Sequence, residues 1–131
     1  MPGKANPWVL DNGLIELVDD ATHIYICASE PADYAAVLTT QLGNKDFSAA
    51  GGVFVTATNP SNRTPNGRRV TTQAVTDGSV TANGTAAWWA IVDAPNTRLL
   101  LDNALAASQG VTSGNVFSLP PFDFGIPSVG A

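Results

Sequence analysis

The chain has 131 residues and a mass of 13.5 kDa, the size of one domain, enough to bury roughly two-thirds of its unfolded surface. Only 13% of its residues are charged, about half the usual share, and 13 Thr, 10 Asn and 8 Ser carry the polarity instead. A formal net charge of -5 and a pI near 4.4 exclude a nucleic-acid partner, which needs a basic face, and a single cysteine excludes an internal disulfide and any thiol-pair zinc or redox motif.

At the N-terminus, Met1-Pro2-Gly3-Lys4-Ala5-Asn6-Pro7 is followed by no apolar run of signal-peptide length. The expectation is synthesis in a cytoplasm, with no membrane partner, because no stretch reaches the length of a span. The sequons at Asn62 and Asn83 then read as accidental. Pro2 and Pro7 predict an extended arm over residues 1–10, leaving Trp8, Val9 and Leu10 as an apolar anchor in need of a partner.

Residues 12–18 read as a short helix or an irregular arm. His23-Ile24-Tyr25-Ile26-Cys27-Ala28 has the β-branched and aromatic composition of a buried strand. A turn or two of helix is expected over residues 31–37, with Pro31 in the first turn, and Gly43-Asn44-Lys45 is expected to break the chain. Residues 52–57 form a strand candidate and 59–67, with two prolines, a loop. Further strands are expected over 69–76, 79–82 and 85–92, joined by hairpin turns at Asp77-Gly78 and Asn83-Gly84.

A turn at Ala94-Pro95-Asn96 leads to a return strand from Thr97, then a Gly/Ser/Thr loop, then a final strand pair at 115–119 and 122–126. The sum is seven or eight short strands in a single all-β domain over 1–131, an antiparallel β-sandwich or jelly roll. Ile24, Ile26, Val75, Trp89, Ile91, Leu99 and Phe117 are its core candidates. Trp89 is preferred over Trp88 because Ala87 and Ile91 share its face.

Few residues point to chemistry. His23, the sole histidine, sits in an apolar strand, and Cys27 shares its face but has no oxyanion hole to work with. Asp19, Asp20, Asp93 and Asp102 are too dispersed for a calcium loop, and Gly51-Gly52 lacks the spacing of a phosphate loop. The reading is a protein without catalytic residues, metal or cofactor. Trp88 and Trp89 must point to opposite sheet faces, so one can fill the core while the other, Trp88, either packs within the domain or anchors a partner or a sugar. Arg63, Arg68 and Arg69 place three of the six basic residues within seven positions, a candidate docking loop for an acidic protein surface.

Several segments carry a family resemblance: Asp11-Asn12-Gly13-Leu14, the run from His23 to Pro31 with Tyr34, Leu42-Gly43-Asn44-Lys45, Pro65-Asn66-Gly67-Arg68, Thr76-Asp77-Gly78, Trp89-Ala90-Ile91-Val92-Asp93 and the stretch from Leu119-Pro120 to Pro127. In this order they resemble small virion structural proteins of tailed bacteriophages, of the capsid decoration (cement) or head-fibre type. The resemblance implies a protein bound to the major capsid protein on the outer surface of the head, where it stabilises the mature shell. A homo-oligomer is expected there, with a trimer favoured over a dimer because three capsid subunits meet at a local three-fold, and the residues expected to dock it are Trp8, Val9, Leu10, Arg63, Arg68, Arg69 and Trp88. The alternative is a fibre or tail-associated domain that binds host carbohydrate.

Overall fold

Two antiparallel sheets and two helices make up the fold in a computed structural model that describes residues 7–48, 51–54, 60–62 and 67–126. Helix α1 (Pro7–Asp20) precedes β1 (His23–Cys27), α2 (Tyr34–Thr40) and β2 (Gln41–Asp46). Then follow β3 (Ser61–Asn62), β4 (Arg68–Thr71), β5 (Val75–Val80), β6 (Gly84–Asp93), β7 (Arg98–Val111), β8 (Val116–Leu119) and β9 (Asp123–Ile126). The larger sheet has the order β7-β6-β1-β2-β5-β8 and the smaller β3-β4-β9. This is the expected all-β, sandwich-like architecture.

The central strands β1 and β6 are buried on both faces, which is why they read as nearly continuous apolar runs. On one face, Ile24, Ile26 and Ile91 join Leu42, Val75, Val80 and Phe117 in the main core. Leu14 and Val18 of α1, four residues apart on one helix face, close that core together with Phe54 and Val70. On the other face, Tyr25, Cys27, Ala90 and Val92 pack with Val37 of α2. Of the seven core candidates, five are buried. Trp89 is half-buried against the main core and Leu99 half-buried against the smaller cluster.

Both helices begin elsewhere than expected. The arm predicted over 1–10 is helical from Pro7, because a proline in the first turn of a helix lacks only an N–H that would have no partner there. Residues 1–6 lie outside the described part. In α2 the cap is Asp33, whose carboxylate accepts a hydrogen bond from the Ala36 N–H at 2.8 Å. The helix therefore starts at Tyr34, and Pro31 is buried ahead of it.

Three glycine-based expectations are overturned. Gly43-Asn44-Lys45 does not break the chain but lies within β2, with Gly43 opposite Ile26 of β1 and Val80 of β5. A Cβ on Gly43 would stand 2.4 Å from the Ser79 carbonyl oxygen, so glycine here serves close strand approach. Asp77-Gly78 is likewise inside β5, where Gly78 makes room for the Phe117 ring. Asn83-Gly84 does connect β5 to β6, but the two strands do not pair, because β1 and β2 lie between them. In the 52–57 segment, Gly52 and Val53 form a turn and Phe54 bridges Thr72, while 55–57 lie outside the described residues.

The hairpin of β6 and β7, with its turn at 94–97, is as expected, but β7 runs on through the anticipated Gly/Ser/Thr loop to Val111. Its pairing passes from Trp88↔Ala104 to Ala86↔Gln109, so residues 105–108 stand opposite Ala87 alone. This wide bulge shifts the alternation and puts Ala86, not Ala87, in the core. It also bends the sheet, bringing the end of β7 alongside β8, the opposite edge. The two line a common cleft of about 290 Å³ floored by Ile26, Val80 and Ala86. The expected final pair, β8 and β9, belongs to different sheets.

Candidate interaction surface

Of the seven residues read as a docking surface, Arg68, Arg69 and Trp88 are the ones whose side chains are described, and these three do not share one face. Trp8, Val9 and Leu10 belong to the first turns of α1 and their side chains lie outside the described part, as does Arg63. Arg68 and Arg69 start β4, in the smaller sheet. The Arg68 guanidinium donates to the Pro60 carbonyl at 3.3 Å. Arg69 donates to Asp123 at 2.8 Å and to the Ser61 hydroxyl at 3.4 Å. Asp123 also accepts from Thr71 at 2.6 Å, so Arg69 helps hold β4 to β9. Trp88 is half-buried on the opposite side of the large sheet, packed with Tyr34 and Leu99 over the smaller cluster.

The polar groups of the large sheet act structurally. His23 Nδ1 lies 2.8 Å from the Thr22 hydroxyl, its Nε2 is 3.7 Å from Asp46, and its ring stacks on Tyr25 with centroids 5.9 Å apart. Burial pushes the Cys27 thiol up, against a smaller opposing effect of its hydrogen bond with Thr40. A protonated, buried thiol is a poor nucleophile. Among the described residues no three His, Cys, Asp or Glu side chains gather as metal ligands, and no helix is long and apolar enough to cross a membrane.

Asp93 closes the turn that follows β6. Its carboxylate is 2% exposed and accepts from Arg98 at 2.8 Å and from the Asn96 side chain at 2.8 Å. Burial pushes its pKa up, but the hydrogen bonds from Asn96 and Arg98 outweigh burial and hold it below the usual carboxylate value. Arg98 also reaches Asp20 at 3.5 Å, tying this turn to the end of α1.

A carboxyl lowered on folding releases its proton more readily in the folded chain than in the unfolded one. Its stabilisation is therefore complete above about pH 4 and is lost as pH falls through the folded value. In Asp93→Asn the urea midpoint should start lower at pH 7 and fall less between pH 4 and pH 2 than in the wild type. Asp46, lowered by its hydrogen bonds to Ser48, leaves a residual acid slope. Parallel profiles for the two proteins would show that Asp93 is not a source of acid sensitivity.

The accessible apolar surface lies instead along the edges of the large sheet. Val116, at the start of β8, is 70% exposed, against 44% for Leu38 and 40% for Ile15. A second cleft of about 430 Å³ runs between Ala104–Ala107 of β7 and Leu119, Pro120 and Phe122. Trp89 and Phe122 form its wall, with ring centroids 4.4 Å apart. Phe122 is fixed there by exchanging hydrogen bonds with Thr72, N–H to hydroxyl at 3.0 Å and Thr72 N–H to carbonyl at 2.9 Å. Reading residue by residue missed this surface, although one signal was present: residues 103–122 contain no charged side chain.

Comparison with family models, with curated proteins and with solved structures returns no match.

Proposed function

We propose that this protein works by binding rather than by catalysis, as a decoration protein that clamps the outside of a bacteriophage capsid by contact with the major capsid protein. The observation that carries the reading is an uncharged sheet edge, with a large apolar side chain in solvent, on a domain in whose described residues every buried side-chain polar atom has a hydrogen-bond partner. Such a surface gains by association: burying a large apolar side chain is worth about 1.5–3 kcal/mol. The domain is proposed to act as a homo-oligomer, three copies meeting where three capsid subunits meet, since closed symmetry is the norm for repeated interfaces. The residues proposed to face the capsid remain Trp8 with its neighbours Val9 and Leu10, and the arginines at 63, 68 and 69. Trp88 is the remaining candidate anchor.

Purified protein added to decoration-free capsids tests this, read as copies bound per particle by cryo-electron microscopy. Saturation at symmetry-related positions is expected. Trp8→Ala, and separately the triple change of Arg63, Arg68 and Arg69 to Ala, should each weaken binding at least about tenfold without unfolding the domain. Wild-type occupancy in both variants would put the interface elsewhere. A second reading, a fibre domain for host carbohydrate, draws support from Trp88 and Tyr34 both being half-buried against one cluster. Quenching of tryptophan fluorescence by host glycans, with no binding to capsids, would favour it.

A further inference from the structure

We propose that copies of this chain join head to tail, Val116 of one seating in the cleft beside the Trp89–Phe122 pair of the next. The inference deepens the proposed homo-oligomer and rests on that part of the reading. Charge selects the occupant. None of the 17 charged residues behind the net charge of -5 lies within 103–122, and the one charged side chain that borders the cleft, Asp123, is already paired with Arg69 at 2.8 Å, so two acidic copies meet here without unpaired like charges in contact. The knob belongs to this run, and so does most of the cleft, to which Trp89 and Asp123 are added from outside it. Val116 is the most exposed large apolar side chain among the described residues, and the cleft is apolar, with its floor and walls fixed by the sheet and by the Thr72–Phe122 exchange.

The two features do not overlap, since Val116 borders the cleft between β7 and β8 and not the one beside Trp89. Being separate, the two features can engage two different neighbours, whereas a two-fold dimer would seat both on one. Each uses its knob on one neighbour and its cleft on another, and a heterologous contact of this kind closes into a ring when the rotation permits. Backbone groups along the outer edges of β7 and β8 can add strand pairing to the contact.

Sedimentation velocity of the full chain tests this with two surface variants, Val116→Asp to remove the knob and Ala104→Arg to plug the cleft. Both positions are exposed, so unchanged circular dichroism and urea midpoints are expected and serve as the folding control. The wild type should sediment as a closed oligomer and each variant as a monomer, with association weakened at least about tenfold. An equimolar mixture of the two variants should give a dimer and nothing larger, because one intact knob and one intact cleft remain. An oligomer unaffected by both variants would overturn this surface and leave the homo-oligomer standing. A mixture that stays monomeric would overturn the head-to-tail contact. A wild-type monomer that still saturates capsids would overturn self-docking and leave the decoration role intact.

Discussion

Replacing Phe117 by alanine should lower the stability of the domain by about 3–5 kcal/mol, a large share of the roughly 5–15 kcal/mol that holds a domain of this size together. Phe117 is 8% exposed and is the one buried side chain of β8 in the main core, with Leu119 partly buried against it. Its ring is flat against two strands at once: a Cβ built on Gly78 would lie 2.3 Å from it, and one on Gly43 3.2 Å. Removing it empties a space shaped by two glycines that have no side chain to collapse inward. Urea unfolding measures the effect as a lower midpoint at constant slope. A loss under about 1 kcal/mol would mean that β8 contributes little to the core.

Gly43→Ala should be more damaging, and for a different reason. The obstacle to its methyl group is the Ser79 carbonyl oxygen at 2.4 Å, part of the backbone, with the Val80 Cα at 3.1 Å behind it. Only two residue pairs, Gly43↔Val80 and Asn44↔Ser79, register β2 against β5, so opening this contact separates β5 and β8 from the rest of the sheet. Overpacking costs about 1–3 kcal/mol where side chains can adjust. Here the backbone must move, and the expected result is loss of soluble, cooperatively folding protein. Gly78→Ala provides the contrast. Its obstacle is the Phe117 ring, so its cost should shrink in a Phe117→Ala background, a coupling that a double-mutant cycle would register. Gly13→Ala, with nothing within 4 Å on α1, should instead stabilise the helix by about 1 kcal/mol. An equal, small effect at all three glycines would refute the close-approach argument.

These glycines also explain where reading the sequence failed. Asp77-Gly78 and Asn83-Gly84 have the composition of type I′ turns, and local chemistry alone places hairpins there. The structure uses Gly78 for an aromatic ring contributed from 39 positions further along the chain, at 117, a relation that no short window contains. The strand assignments around Ile24, Ile26 and Ile91 succeeded because burial on both faces leaves a dense apolar run that needs no partner to be recognised. Pro7 misled in the opposite sense, since a residue that stops a helix from its interior can equally begin one. On the interaction surface, Arg69 drew notice as a cluster member, and only the fold shows it committed to Asp123. Val116 drew none, because a lone valine among Asn, Phe and Ser looks like any strand residue until its neighbours are seen to leave it in solvent.

The bulge in β7 bears on what this protein avoids as well as on what it binds. A neutral strand at the border of a sheet, free of proline and lysine, is a template on which further chains can stack without end, and acidic charge elsewhere on the molecule does not guard it. Residues 105–108 interrupt that template, dividing the border into two short pieces out of register with one another, while Pro120 and Pro121 remove two N–H donors just beyond β8. A chain that meets this border can add a few hydrogen bonds and then runs out of register. The irregularity that curls the sheet thus sets an upper limit on growth, favouring a counted assembly over a fibre.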